Sequence, residues 1–269
     1  MEATGVYYEN LAYYLNDNTG YYISVILPAR AKYYFKSLSI KTKTDKVDAK
    51  MLSQYGLERK LKAWNPPNYK LKVLKLLTRE YRDNKKMINQ LKNQLHAKQS
   101  SYKPNPNGIS RLKKKIEIVE IQCLEIEVEI KSLVLSNNFI SDKVEKVTSI
   151  PGVGFMTAVA VISETNGFAL IRNAKQLSSY AGLDIQHNNS GNKTGKSRIT
   201  KKGNNYIRAA VYMPALSASR VNDNLRTFYL RINKNKQSKK IGLIGVARKL
   251  LVLMYTLYKK DEYFKIIPN

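Results

Sequence analysis

A chain of 269 residues, 43% of them hydrophobic, is long enough to bury a sizeable core, which excludes wholesale disorder. Its 47 Lys+Arg against 20 Asp+Glu give a formal net charge of +27, a balance that points to a polyanionic partner, nucleic acid being the commonest. The single cysteine, Cys123, excludes an intrachain disulfide and a cysteine-based zinc site and fits a reducing, cytoplasmic setting.

In chain order, the opening MEATGVYYEN lacks the basic and apolar regions of a signal peptide. Residues 5–15 carry helical spacing, and 21–27 (YYISVIL) are β-branched and aromatic, which predicts a strand. Pro28 closes that strand, and a helix is expected through Phe35. Another helix is predicted to start near Thr44, a good N-cap. Within KTDKVDAK, the i,i+3 spacing puts Asp45 and Asp48 on one helix face. Paired carboxylates suit Mg²⁺; acids at a helix start are also favoured by the macrodipole alone. Glu2 is a further carboxylate, uninterpretable by itself.

The middle of the chain has a different period. Leu74, Leu77, Tyr81, Asn84, Ile88, Leu91 and Leu95 recur at alternating steps of three and four, as do the apolar positions from Ile109 to Leu133. Two such seams joined by YKPNPNG predict an antiparallel helical hairpin or coiled coil, a spacer or a dimerisation arm. Cys123 falls on the second seam and reads as a small core residue.

From Ser141 the chain is predicted helical, basic and interrupted by glycine. SIPGVGFMTAVAVISE (149–164) places Gly152 and Gly154 in a turn before a small-residue helix. Such a turn, of helix-hairpin-helix type, exposes backbone N–H groups to a phosphate, and it equally serves as a plain tight connection. In IQHNNSGNK (185–193), Ser190 sits among small polar residues, with His187 nearby as a base. Composition alone reads this as a solvated loop; a serine becomes a nucleophile only when positioned and deprotonated. Between residues 186 and 249 there are fifteen basic residues and one acid, Asp223. Lys193, Lys196, Arg198, Lys201, Lys202, Arg208, Arg248 and Lys249 are the predicted nucleic-acid contacts of this stretch. The apolar run IGLIGVARKLLVLMYTLY is split by Arg248 and Lys249, so it reads as a buried helix rather than a membrane span.

Several words in order carry a resemblance: EATGVY at 2–7, KTDKVDA at 43–49, IPGVGFMTA at 150–158, YAGL at 180–183, SGNKTGKSRITKKGNNYIRAAV at 190–211 and ARKLL at 247–251. Together they resemble the transposases of insertion-sequence family 110, with its 1111 subgroup and the related Piv-type DNA invertases. The resemblance spans essentially the whole chain. It implies an RNase H-like, RuvC-type domain with a DEDD metal site, then a coiled-coil arm and a domain with a catalytic serine. Glu2, Asp45 and Asp48 would be three of the four acids, and Ser190 the nucleophile that links covalently to DNA. The first aspartate of the set belongs to an opening strand upstream of the EATG word, whereas here Met1 immediately precedes Glu2. The expectation is therefore a truncated copy or a mis-assigned start.

The expected architecture is α+β and mostly helical: a partial RuvC-like domain over 1–65, a coiled-coil hairpin over 66–140 and a serine-carrying transposase domain over 141–269. The expected function is that of a DNA transposase of a mobile element, acting through Ser190 with Mg²⁺ held by carboxylates. The alternative is an inactive nucleic-acid-binding remnant. Tyr206, beside the basic loop, is the second candidate nucleophile. Expected partners are DNA, a structured RNA from the element (implied by the resemblance only) and a second copy through the coiled coil. The expected location is the cytoplasm of a bacterium, at the nucleoid.

Overall fold

The computed structural model describes residues 1–40, 44–169, 171–186, 189–190, 193–195 and 197–265, with the backbone alone at 189, 190, 193 and 194. The chain divides into two compact units, residues 1–67 and 68–269.

In the first unit, α1 (Glu9–Asn18), α2 (Pro28–Ser37) and α3 (Asp45–Glu58) follow one another. Helix α1 starts later than its apolar spacing predicts, because Gly5 has φ +58° and turns the chain. Pro28 fits the first turn of α2, where its missing N–H costs nothing. Thr44 caps α3, its hydroxyl accepting from Val47 N–H. Helices α2 and α3 meet through the rings of Tyr34 and Tyr55, 4.6 Å apart, and Tyr34 donates to Glu58 at 2.6 Å. The predicted strand at 21–27 does not form a ladder. Only Ile26 bridges, in parallel, to Glu2. The rest of the segment bonds irregularly: Tyr22 and Ser24 hydroxyls donate to Leu61 O and Lys62 O at 2.8 Å, and Trp64 N–H donates to Ile23 O at 2.7 Å. The backbone of the segment pairs with residues 1–3 (Ile26 N–H to Met1 O and Ala3 N–H to Ile26 O, both 2.9 Å) and with Trp64, too short a stretch for a ladder among the described residues, so extended backbone appears without a sheet.

The second unit opens with α4 (Tyr69–Gln99) and α5 (Pro106–Leu135), which pack along one another as a hairpin. Thirty-one residues at about 1.5 Å each make this arm ~46 Å long. The expected seams are where the helices meet. Leu74, Leu77, Ile88, Leu112, Ile116, Val119, Cys123, Ile126 and Ile130 are buried, and Ile88, Ile116, Val119 and Cys123 form a cluster of their own along the arm. Burial pushes the Cys123 thiol up from its ordinary value, in keeping with a packing role.

The base of the arm enters the main core, built from α6 (Asn138–Thr148), α7 (Phe155–Glu164), α8 (Ala174–Tyr180), α9 (Asn205–Val221), α10 (Asp223–Asn233) and α11 (Lys240–Lys260). Helix α11 is long and apolar enough to cross a membrane by composition. Its apolar residues face inward, with Val246, Leu250, Leu251 and Met254 fully buried against the rest of the core, as the split run predicts. Asp261, in the left-handed region at the end of α11, accepts from Lys143 and Lys146 at 2.5 and 2.7 Å and ties α11 to α6. The described strands are four two-residue pieces between α8 and α9: β1 (Ile185–Gln186), β2 (Asn189–Ser190), β3 (Lys193–Thr194) and β4 (Arg198–Ile199). The architecture is mostly helical, as expected.

Candidate nucleic-acid interface

Ser190 is carried by a β-excursion that leaves and rejoins the helical core at one place. At its base Thr200 donates through its N–H to Asp184 O at 3.0 Å and through its hydroxyl to the Asp184 carboxylate at 2.6 Å. Lys201 N–H donates to Gly182 O at 3.1 Å and Asn204 N–H to Tyr180 O at 2.7 Å. Beyond that base, β1 pairs antiparallel with β4, Ile185 opposite Ile199 and Gln186 opposite Arg198. Further out β2 pairs with β3, Asn189 opposite Thr194 and Ser190 opposite Lys193. Two residues, 191–192, connect Ser190 to Lys193 and lie outside the described set. Ser190 therefore stands on a hairpin rather than in an irregular loop, with a lysine directly across the ladder. His187 and Lys196 lie outside the described residues.

Of the other predicted cations, Arg198, Lys201 and Lys202 are exposed and surround the base of the hairpin. Arg208 is different: it is half-buried, and one of its guanidinium N–H groups donates to Ala181 O at 2.7 Å. Burial lowers its pKa from the ordinary value, and part of its donor set is already spent on the fold. Arg248 donates to Ser178 at 3.2 Å, and Lys249 lies 4.0 Å from the Phe228 ring centroid while remaining exposed.

Under the hairpin base lies a polar network that the sequence reading did not pick out. The Glu164 side chain at the end of α7 is 1% exposed. It accepts from Arg79 of α4 at 2.5 and 3.0 Å and from the Asn204 side chain at 2.6 Å, while Tyr180 donates to its backbone carbonyl at 3.1 Å. Burial works against the Arg79 charge, but the bonds and charge of Glu164 outweigh it and hold the guanidinium above its ordinary pKa. Burial likewise pushes the Tyr180 hydroxyl up. The network fixes α4, α7 and the start of α9 to one another. The sequence signal for it is one acid ending an otherwise apolar helix, FMTAVAVISE, since a buried acid demands a partner.

Gly152 and Gly154 separate in role. Gly152 has φ +95°, and a Cβ there would lie 2.6 Å from the backbone nitrogen of Ala218. Its glycine is accounted for by close packing on α9. Gly154 is exposed, has open space around it and N-caps α7.

The acids lie in the first unit. Glu2 accepts from Thr4 at 3.2 Å; Asp45 is the exposed first residue of α3, and Asp48 is half-exposed one turn later. Among the described residues no three His, Cys, Asp or Glu side chains gather into a group able to hold a metal ion. Oxygen donors of this kind suit Mg²⁺, but Glu2, Asp45 and Asp48 as placed do not form a metal centre.

Comparison with known proteins gives two family matches. Residues 144–230 match the family described as "Transposase IS116/IS110/IS902 family", and residues 1–104 match the DEDD transposase family of IS110 type. Over 269 residues the chain is 28% identical to the pilin gene-inverting protein of Moraxella bovis, covering 98% of this chain and 80% of that protein. It is also similar to the transposase for insertion sequence element IS1111A of Coxiella burnetii, 25% identical over 144 residues, which are 52% of this chain and 38% of that one.

Proposed function

We propose, from the matches of residues 144–230 and 1–104 to insertion-element transposase families, that this chain is such a transposase and that it cleaves and rejoins DNA through Ser190. The observation that carries this reading is the hairpin register, which sets Ser190 directly across from Lys193 on a β-excursion flanked by exposed Arg198, Lys201 and Lys202. In the proposed step Ser190 Oγ forms a bond to phosphorus and the bond from phosphorus to one DNA strand breaks. The leaving oxygen takes a proton, and the serine's proton passes to solvent. Attack by a second strand's hydroxyl reverses the step and releases Ser190 with the strands exchanged. The cations stabilise the charge that develops on the phosphoryl oxygens.

The likeness of residues 1–104 to DEDD transposases points to divalent-metal chemistry, but no step here is routed through a metal, since Glu2, Asp45 and Asp48 are not gathered in this arrangement. An RNase H-like identity for residues 1–65, a coiled-coil arm over 66–140 and a transposase domain over 141–269 belong to the same proposal. So do a structured RNA partner and self-association through the α4–α5 arm. A second reading, nucleic-acid binding without cleavage, is favoured by the dispersed acids.

Trapping separates the readings. The full chain incubated with labelled element-end DNA and Mg²⁺ should give a covalent adduct that Ser190→Ala abolishes and Ser197→Ala leaves in place. DNA affinity should stay within about threefold for Ser190→Ala, because an uncharged hydroxyl adds little to phosphate-dominated binding. An adduct that persists in Ser190→Ala, or maps to Tyr206, overturns the serine mechanism. DNA binding with no adduct at all supports the second reading.

A further inference from the structure

A cavity of about 380 Å³ opens in the second unit where α4, α7 and α9 meet. Its cations are unequal. Arg79 is paired with Glu164 through two hydrogen bonds, so that pair is neutral. Arg82 lies 4.5 Å from the Tyr206 ring centroid, and Arg79 lies 4.2 Å from the same ring. A ring contact fixes a guanidinium without consuming its N–H donors. Among the described residues neither Arg82 nor Lys85, one turn further along α4, has a carboxylate partner. Two positive groups without a carboxylate partner therefore line the cavity, each beside an aromatic ring: Arg82 by Tyr206 and Lys85 by Tyr81, 5.1 Å from its centroid. Most of the remaining lining is apolar, including Met156, Ala160, Ala210 and the exposed Met213.

We infer that this cavity receives one unpaired nucleotide of a single-stranded nucleic acid, its phosphate on Arg82 and Lys85 and its base against the methionine and alanine floor. The inference rests on the nucleic-acid reading above and assigns it a place away from the Ser190 hairpin. The volume lies at the small end of ligand sites, roughly 300–1,000 Å³, enough for a single nucleotide. A bare phosphate would leave the apolar floor without a function. A paired base cannot enter a concavity without leaving its stack, so the site discriminates single strand from duplex. Phosphate held by cations and a base held by an apolar floor carry no base-edge readout, so little sequence preference is expected.

The test uses the full chain and labelled twelve-nucleotide single-stranded DNA, the same sequence as RNA, and the DNA duplex. Arg82→Ala should weaken single-strand binding by about tenfold, the loss of one charge-assisted contact of ~1.5 kcal/mol, with duplex binding changed less than about threefold. Ala209→Phe fills the cavity from an exposed lining position, so the fold should survive; it should reproduce the single-strand defect without touching a charge. A defect confined to the DNA or to the RNA strand supports the site and identifies its source. Equal losses on single strand and duplex, or no loss in Ala209→Phe, overturn the cavity assignment while leaving nucleic-acid binding intact. If the unmodified chain binds none of the three probes, the functional reading itself fails.

Discussion

Gly152 and Gly154 stand two residues apart in the turn before α7, and the physics at each is opposite. At Gly152 a methyl group meets the Ala218 backbone at 2.6 and 2.8 Å, and the positive φ adds strain for any L side chain. Backbone cannot yield as a side-chain tip does, so Gly152→Ala should destabilise by about 3 kcal/mol, combining overpacking with the left-handed penalty. Gly154→Ala meets open space and should cost within about 1 kcal/mol, the scale of an N-cap exchange. Thermal unfolding of the two variants measures the difference directly. If Gly154 holds a phosphate through its exposed N–H, alanine preserves that donor, so duplex affinity should also be nearly unchanged. A sequence shows both positions simply as glycine; which one is demanded by packing appears only when α9 is placed beside the turn.

At the scale of elements, most helices were legible because their causes are local. The alternating three-and-four seam placed α4 and α5, and Pro28 and Thr44 placed the starts of α2 and α3. Six helices of the second unit begin at asparagines whose side chains accept backbone N–H bonds: Asn68, Asn105, Asn137, Asn173, Asn204 and Asn222. What stayed hidden depends on partners distant in sequence. Residues 21–27 have strand composition but, among the described residues, find one parallel bridge to Glu2 and scattered bonds to Met1 and Trp64. The Ser190 hairpin had a readable signal in Gly191–Asn192, a residue pair suited to a two-residue hairpin connection, which the polar composition around it concealed. Arg79, 85 residues from Glu164, had no signal linking it to that acid. The capping asparagines offer a measurement of how local and distant terms combine. Asn137 caps α6 with one bond to Ile140 N–H at 3.0 Å, so Asn137→Ala should cost about 1 kcal/mol. Asn204 caps α9 through Tyr206 and Ile207 N–H and also donates to buried Glu164. Asn204→Ala should cost about 2–3 kcal/mol, the cap plus one lost bond to a charged group. Equal costs in chemical denaturation would mean that Arg79 alone satisfies Glu164.

Across the whole molecule, the charge of +27 sets how the protein meets its partner, and the structure shows which cations remain free to do so. Some acids of the second unit are held by cations of their own fold: Glu164 by Arg79, Glu120 by Lys92, and Asp142 and Asp261 by the lysines of α6. Lys201 and Lys202 are exposed at the hairpin base, beside Ser190's strands, and no carboxylate pairs with them among the described residues. Arg208, by contrast, is bonded to Ala181. The difference is readable in solution, because each phosphate neutralised by a free cation releases condensed counterions. The slope of log affinity against log salt changes by about 0.9 per contact on B-form DNA. Replacing Lys201 and Lys202 together with alanine should therefore flatten the duplex-binding slope by about 2. Arg208→Ala should leave the slope nearly unchanged while lowering the unfolding temperature, since the arginine closes the carbonyl of Ala181 beneath the hairpin. A slope that responds to Arg208 and ignores the two lysines would place the DNA on the opposite side of the hairpin base.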